Sequence, residues 1–312
     1  MRKESEKTIA KDVEAVVTSY NQGTMILEAI SSLCMQTTPP AKIILIDDGS
    51  TDEASLHILE ELKTKSAFSV PITVVQQSNG GVSAARNAGI SRTQSPMVLV
   101  LDGDDKLEPG YLEHVRSLLL QNASMVAASS WMRTFGVLEA EVCPEGGGIR
   151  EFLIRNCCPA THILRREAWE KCGGYEETMR SGFEDWEFFL SILETAPGAR
   201  IGIVKEPLIN YRTAAASSNV RSMEKRLELM KFIMEKHIQS YQTYVIDSVL
   251  GMEAVSMSRL YNWESEICHT LQEKQELSRA SRDFLDSPSY GDGGMASAVR
   301  IASSGIERIR TI

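Results

Sequence analysis

The sequence predicts an α/β fold in which helices cover both faces of a mostly parallel sheet. From Val13 to Leu101, short apolar and β-branched runs alternate with amphipathic stretches. Runs that are apolar on both faces and separated by helices are typical of buried parallel strands. Each run also ends in polar residues, as expected where strands deliver side chains to a ligand crevice at the carboxyl edge of an open sheet.

The first third of the chain predicts four strands and three helices in alternation. The strand segments are VEAVVTS, KIILID, PITVVQ and MVLVLD. The first helix shows its buried face directly, because Ile26, Ile30 and Leu33 recur at positions i, i+4 and i+7. This alternation predicts parallel strands covered by helices on each side.

The remainder predicts a more mixed arrangement. A helix with Pro109 in its first turn comes next, followed by irregular strands and a loop over about residues 125–149. Two helices flank the turn at Gly173–Gly174, and IGIVKEPLINYR predicts two short strands. Residues 221–286 show a helical pattern, and SPSYGDGGMASA is predicted to be a Gly/Ser-rich linker or loop.

The composition is typical of a folded protein, and its net negative charge argues against nucleic-acid binding. The 312 residues are 43% hydrophobic and carry a formal net charge of −9, whereas nucleic-acid binding relies on Lys and Arg. The six cysteines lack zinc-site spacing and disulfide-scaffold density, so we expect reduced thiols in a cytoplasmic protein. No signal core or membrane-span run is evident, and any membrane contact is expected to be peripheral.

The segment DGDD, Asp102 to Asp105, follows the fourth strand and crowds three carboxylates together. Like charges at one strand end repel unless they are compensated, and Mg²⁺ or Mn²⁺ is typically held by one or two carboxylates plus substrate phosphates. A metal–diphosphate site fits this pattern. A solvated acidic turn before the helix that begins near Pro109 fits it as well. The motif alone leaves both readings open.

Two further segments lie at predicted strand ends. In DDGSTD, Asp47 to Asp52, carboxylates could accept hydrogen bonds from a nucleobase or ribose, while Ser50 or Thr51 with the following acid could cap the next helix. In NGGVSAARNAGI, paired glycines open a helix whose free N–H groups suit an anion, with Arg86 one turn on. A tight helix start with a solvated arginine is the alternative there.

The segment GFEDWEFFLSIL places two acids, Glu184 and Asp185, at the start of a predicted amphipathic helix. A carboxylate in a first helical turn is favoured in its ionised form by the backbone dipole and is therefore available as a base. An ordinary acidic helix start would look the same.

Taken together, these motifs resemble those of family 2 glycosyltransferases. VVTSYN, IDDGSTD, GGVSAARNAGI, LDGDD, CGGYEE and EDWEF occur in the order and spacing of that family, over roughly Asp12 to Arg212. The resemblance implies a GT-A fold, a nucleotide-diphosphate-sugar transferase fold with a Rossmann-like sheet. It also implies inverting transfer of a sugar from a nucleotide-sugar, with a UDP-sugar as the expected donor, aided by Mn²⁺ or Mg²⁺.

The resemblance also implies roles for the donor-binding residues. Thr18 and Tyr20 would line the base pocket, and Asp48 would bond the uracil edge. Arg86 would lie beside the nucleotide, and Arg212 would reach its phosphates.

The remaining implied roles concern the metal and the chemistry. Asp102 and Asp104 would form the DxD pair, with Asp104 as the direct metal ligand and Asp102 nearer the ribose. Asp185 matches the catalytic base of the family, and the adjacent Glu184 is the second candidate. The chain departs from the pattern at Ala214, where many relatives carry a histidine that helps to hold metal or diphosphate.

The predicted organisation is a polar tail over residues 1–11, a GT-A domain over 12–219, a helical extension over 220–286, and a Gly/Ser-containing loop and tail over 287–312. We expect a glycan or lipid-linked acceptor in cell-surface polysaccharide or glycoconjugate synthesis, with no nucleic-acid partner. Peripheral contact with the inner face of the membrane and a homo-oligomer stay open.

Two other classes of protein remain as alternatives. One is a catalytically weak sugar-nucleotide-binding or assembly protein that keeps the fold, which Ala214 favours. The other is a nucleotidyltransferase, which would ordinarily carry a Gly-rich phosphate loop in the first strand–helix turn, where SYNQGTM offers only Gly23.

Overall fold

The chain folds into two compact units that divide between Thr243 and Tyr244 in the computed structural model. The described residues are 8–64, 68–214, 218–273, 275–289 and 292–303. The first unit contains the sheet, and the second is helical.

The first unit is built on a mixed, mostly parallel sheet of nine strands among the described residues. These are β1 (Val13–Ser19), β2 (Ile43–Asp47), β3 (Ile72–Gln76), β4 (Met97–Asp102), β5 (Lys106–Leu107), β6 (Met125–Gly136), β7 (Glu141–Val142), β8 (His162–Arg165) and β9 (Arg200–Thr213). Their order is β3-β2-β1-β4-β8-β6-β9-β5, with β7 paired to β6. The pairs within β1 to β4 and the pair β6–β9 are parallel, and β8 joins them in antiparallel pairs with β4 and β6. The predicted α/β class is confirmed.

Ten helices connect and cover the strands of this unit within the described residues. They are α1 (Met25–Cys34), α2 (Glu53–Thr64), α3 (Val82–Ile90), α4 (Tyr111–Gln121), α5 (Ile149–Ile154), α6 (Arg166–Cys172), α7 (Glu184–Leu193), α8 (Ser218–Glu224), α9 (Arg226–Lys236) and α10 (Ile238–Thr243).

The core lies between the helices and the central strands. All residues of β1 and β2 are buried, which explains why these strands are apolar on both faces. The predicted stripe Ile26, Ile30 and Leu33 of α1 is fully buried. Helix α3 approaches the sheet so closely that a Cβ on Gly89 would lie 2.3 Å from Cγ1 of Val16. Only glycine fits this contact between helix and strand.

One strand prediction was wrong, because the segment from residue 200 forms the single long strand β9 rather than two short ones. The irregular strands and loop predicted over about residues 125–149 are present as β6, β7 and the segment that follows them. Strands β6 and β9 pair in parallel with register shifts on either side of Trp131, whose partner is Pro207. The residues of β9 that have no partner next to Pro207 form a bulge, and Pro207, which has no N–H for the ladder, lies at this bulge without ending the strand.

The second unit consists of α11 (Val245–Gln272), α12 (Arg279–Asp286) and α13 (Gly294–Ser303). It has its own apolar cluster, formed by Ile267, Leu271, Leu285, Ala298 and Ile301. The helical C-terminal region is thus confirmed. The prediction of a linker or loop over SPSYGDGGMASA was wrong in part, because the second half of this segment belongs to α13. Ala298 and Ile301 recur at helical spacing there and pack into the apolar cluster. The tail after Ser303 lies outside the described residues.

The domain boundaries predicted after residues 11, 219 and 286 stay predictions. Helices α9 and α10 belong to the first unit. Within the described part of the chain, no helix combines the length and the hydropathy that crossing a bilayer requires.

Candidate active site

The carboxyl ends of the parallel strands bring the predicted site residues to one edge of the sheet. Thr18 of β1 is in register with Asp102 of β4, and the Thr18 hydroxyl donates a hydrogen bond of 3.2 Å to Oδ1 of Asp102. This is the edge at which open α/β sheets bind ligands. Tyr20, directly after β1, is half exposed there, with 48% of its surface accessible.

Arg86 links this edge to the start of α7. Its Nη2 donates to both carboxylate oxygens of Asp102, at 2.9 and 3.0 Å, and its Nη1 donates to Oε1 of Glu184 at 3.4 Å. The residue is only 1% exposed, and the guanidinium also lies 5.4 Å from the ring centroid of Tyr175. Burial lowers the pKa of Arg86, but Asp102, Tyr175 and Glu184 together raise it by more than burial lowers it. The guanidinium therefore stays charged. Nucleotide contact by Arg86 stays a prediction.

Glu184 and Asp185 begin α7, as the sequence predicts, but they are largely buried. Burial and the neighbouring Asp185 raise the pKa of Glu184 to about 7, and burial also raises the pKa of Asp185. Burial therefore works against the ionised form that the helix dipole favours. Opposing it, Arg86 lowers the pKa of both carboxyl groups.

The residue before these acids holds an unusual backbone conformation. Phe183 has a φ of 64°, in the left-handed region that a bulky residue rarely adopts. Its ring lies 5.5 Å from that of Trp186, and the guanidinium of Arg226 lies 5.4 Å from its centroid. Conformations of this kind persist only where surrounding contacts hold them and are common at active sites. Contacts from α7 and α9 thus fix where the helix carrying both acids begins.

The remaining acids of DGDD are also drawn inward. Burial first, and then the charge of Asp102, raise the pKa of Asp104 to about 6. Asp105 is buried, and its Oδ1 accepts a hydrogen bond of 2.8 Å from the backbone N–H of Arg212. The side chain of Arg212 donates to the backbone carbonyl of Asp104 at 3.0 Å and to Glu28 at 3.2 Å. Arg212 thus lies against the acidic loop where the sequence places it.

Asp48 has a structural task that the sequence does not reveal. Its Oδ1 accepts hydrogen bonds from the backbone N–H of Gly80 and from the Gln77 amide, and its Oδ2 accepts from the N–H of Gly81, each at 2.8 Å. The carboxylate therefore holds the turn that opens α3. Its predicted bond to a uracil edge would use lone pairs that these contacts leave free.

Sequence reasoning missed two polar side chains at this edge. Gln22 donates to Oδ1 of Asp104 at 3.3 Å, and its buried amide oxygen has no partner in the described structure. Asn156 donates to Oδ2 of Asp185 at 3.0 Å. Neither belongs to a recognisable motif, and each meets its carboxylate across the fold.

A protein-only metal cage is absent from the described residues: no group of three or more His, Cys, Asp or Glu side chains is arranged to hold an ion. The carboxylates of Asp102 and Asp104 nevertheless supply oxygen donors that suit Mg²⁺ or Mn²⁺. Burial, and then the neighbouring charge of Asp102, raise the pKa of Asp104, and a bound cation would offset both effects. Both features fit a cation whose other ligands come from a bound diphosphate.

A family model described as glycosyl transferase family 2 matches residues 14–172, just over half of the chain. The chain belongs to this family. An uncharacterized glycosyltransferase of Haemophilus influenzae is 22% identical over 246 residues, covering 75% of this chain and 80% of that protein. A cholesterol galactosyltransferase of Borreliella burgdorferi is 38% identical over 101 residues, which is 32% of this chain and 27% of that protein.

Solved structures support the same fold for this family 2 glycosyltransferase. The crystal structure of Staphylococcus aureus TarS 1-349 in complex with UDP-GlcNAc superposes with a TM-score of 0.59 at 17% identity, covering 93% of this chain and 79% of that one. The complex of the same TarS fragment with UDP gives a TM-score of 0.56 at 16% identity. The predicted GT-A fold and the glycosyltransferase class are confirmed.

Replacing Arg86 with Met tests the buried link between Asp102 and Glu184. The substitution keeps a long side chain and leaves two partly buried carboxylates without a counter-ion, so we expect the free energy of unfolding to fall by about 3–5 kcal/mol. Urea unfolding followed by circular dichroism measures the change. Arg133→Met, at an exposed position of β6, is the matched control. A loss no larger than that of the control would contradict the assignment of Arg86 as the central counter-ion.

Proposed function

We propose that this family 2 glycosyltransferase moves a sugar from a UDP-sugar to a hydroxyl group of a glycan or lipid-linked acceptor, with inversion at the anomeric carbon, in cell-surface polysaccharide or glycoconjugate synthesis. The observation that carries the proposal is the convergence of Asp102 and the Glu184–Asp185 helix start on Arg86. That arrangement brings an acidic strand end suited to a diphosphate close to a helix start that offers a base.

The comparisons support the donor and the acceptor chemistry separately. The TarS complexes contain UDP and UDP-GlcNAc in a related fold, which favours a uridine donor for this chain. The similarity to a protein named cholesterol galactosyltransferase favours an acceptor hydroxyl on a lipid or lipid-linked molecule. The exposed Tyr20, together with Thr18 and Asp48, would receive the base.

The donor diphosphate would lie beside DGDD. Asp104, with Asp102, would hold Mn²⁺ or Mg²⁺, which stabilises negative charge on the leaving diphosphate. Arg86 keeps the Asp102 carboxylate in a fixed orientation, and Arg212 places positive charge next to the Asp104 backbone. A diphosphate held there would place the leaving group of the donor at the sheet edge.

The chemical step assigned to Asp185 is proton removal. Its carboxylate accepts the proton of the acceptor hydroxyl as that oxygen forms a bond to the anomeric carbon. The bond from this carbon to the diphosphate oxygen breaks, and UDP leaves with the electron pair. One displacement with one base inverts the anomeric configuration. Because Asp185 must be ionised, and burial raises its pKa, transfer should increase with pH as the group deprotonates.

A catalytically weak sugar-nucleotide-binding protein is the second candidate, and a specific observation favours it. Ala214 has no imidazole to offer metal or phosphate where many relatives have histidine. Against it stands the placement of Asp185 next to the Arg86 cluster, since a binding module needs no base.

A panel of nucleotide-sugars distinguishes the two candidates. The purified protein is incubated with each donor and an acceptor mixture, with and without Mn²⁺, and release of nucleoside diphosphate is measured. We expect a UDP-sugar to give release of UDP that depends on Mn²⁺.

Asp104→Ala tests the metal site. We expect this variant to lower UDP affinity at least about tenfold in the presence of Mn²⁺, which corresponds to about 1.4 kcal/mol of binding free energy.

Glu60→Ala, on the exposed surface of α2, is the control and should leave UDP binding unchanged. Equal UDP affinity with and without Mn²⁺ in the unmodified protein would contradict the metal assignment. A panel without release but with donor binding would favour the binding protein.

Asp185→Asn tests the base. The substitution keeps the shape of the side chain and removes its basicity, so donor binding should persist while transfer falls by about 10²–10⁴-fold, the usual contribution of a general base. Donor affinity is measured by calorimetry, and transfer is measured by product formation. Near-normal transfer would remove Asp185 from the mechanism and make Glu184 the next candidate, which Glu184→Gln then tests.

A further inference from the structure

The side chain of Asn156 reaches the proposed base from a different part of the chain. Asn156 lies between α5 and β8, 29 positions before Asp185, and its Nδ2 donates a hydrogen bond of 3.0 Å to Oδ2 of Asp185. The other carboxylate oxygen, Oδ1, accepts from the backbone N–H of Trp186 at 2.8 Å. Each oxygen of the base thus has one protein donor and keeps further lone-pair capacity for a substrate hydroxyl.

The orientation of the Asn156 amide is set by a second contact. Its Oδ1 accepts the backbone N–H of Cys158 at 3.2 Å. A backbone N–H can only donate, so the atom that faces it must be the amide oxygen. The NH₂ group of Asn156 is therefore directed at Asp185.

The segment around Asn156 is rigidly attached to α7. Cys157 and Cys158, which directly follow Asn156, are buried, and the Trp186 indole donates to the Phe152 carbonyl of α5 at 2.6 Å. The rings of Phe152 and Phe189 also meet edge to face at 5.7 Å. Because α5 and α7 are fixed relative to each other, the Asn156 amide holds a defined place beside the base.

We propose that Asn156 is the positioning residue of the transfer reaction, which orients the Asp185 carboxylate toward the acceptor hydroxyl and stabilises its ionised form. The inference rests on the assignment of Asp185 as the base.

The neighbouring acid provides the contrast. Glu184 is bonded to the charged guanidinium of Arg86, which also holds Asp102, so its carboxylate belongs to the buried ion-pair cluster. Asp185 is instead held by a neutral amide. Arg86 lowers the pKa of both acids, but of the two it hydrogen-bonds only Glu184, whereas Asp185 receives its side-chain hydrogen bond from Asn156. Asn156 therefore distinguishes the two adjacent acids.

The charged and titratable groups around Asp185 come from several elements. A change at Asn156 alters the pKa of Asp185 in addition to their effects. They are Glu184 of α7, Arg86 of α3, Asp102 of β4, Cys158 before β8, Tyr175 after α6 and Tyr211 of β9. A donor to the carboxylate favours its ionised form, so losing the donor raises the pKa of Asp185. The acid limb of the pH–rate profile must then move to higher pH.

Asn156→Asp is the sharpest test, because it keeps the size of the side chain and an acceptor for the Cys158 N–H. It replaces the donor to Asp185 by a second carboxylate, and two adjacent carboxylates resist ionising together. We expect kcat to fall about 10²-fold, as for a misplaced catalytic group. The acid limb should move up by at least about one pH unit, while the KM for the donor and UDP affinity stay unchanged.

Two further variants control this experiment. Asn262→Asp, at an exposed position of α11, introduces the same charge in the second unit and should leave kcat and the pH profile unchanged. In the Asp185→Asn background, Asn156→Asp should cause little additional loss, because a residue that acts through the base has no effect once the base is gone. Thermal unfolding verifies that all variants are folded.

The outcomes separate the inference from the proposed function. An inactive Asp185→Asn together with an Asn156→Asp variant of normal kcat and unshifted acid limb would overturn the role of Asn156 and leave the base in place. Additive losses in the double variant would also overturn it. An active Asp185→Asn would overturn both assignments. A large kcat loss with a shifted limb, absent in the Asp185→Asn background, supports the inference.

Discussion

A single guanidinium, that of Arg86, neutralises carboxylates that two separate segments bring to the carboxyl edge of the sheet. Asp102 comes from the end of β4 and Glu184 from the start of α7, and both meet Arg86 below the surface. Without Arg86, the partly buried Asp102 and Glu184 would repel each other and the neighbouring Asp185. The donor side and the base side of the site are therefore held together by one residue of α3.

The positions of α3 and α7 bring Arg86 into contact with Asp102 and Glu184. Helix α3 reaches the sheet because Gly89 allows close packing on Val16, and its start is held by the Asp48 carboxylate, which bonds the N–H groups of two successive glycines. Helix α7 begins where it does because Phe183 is held in a left-handed conformation. From this start of the helix, Glu184 contacts Arg86 and Asp185 contacts Asn156, and neither acid is fully exposed to solvent.

Much of this architecture follows from the sequence. Strands β1 to β4 and the buried stripe of α1 are predicted by local apolar patterns, which burial on both faces enforces in β1, β2 and β4. The acids at strand ends and at the start of α7 are predicted as candidate site residues from their position at the ends of these elements and from the resemblance to family 2 glycosyltransferases. The Asn156–Asp185 and Arg86–Glu184 contacts are not, because they join segments 29 and 98 positions apart that only the complete fold brings together. The single strand β9 is not predicted either, because the bulge at Pro207 depends on its pairing with β6.

The anomeric configuration of the first-formed product tests the central claim most directly, that one carboxylate drives one displacement at this edge of the sheet. Proton NMR recorded during the reaction, with the donor that the nucleotide-sugar panel identifies, reads this configuration from the coupling constant of the anomeric proton. A single displacement predicts the configuration opposite to that of the donor. A product that retains the donor configuration from the earliest time point would contradict the account.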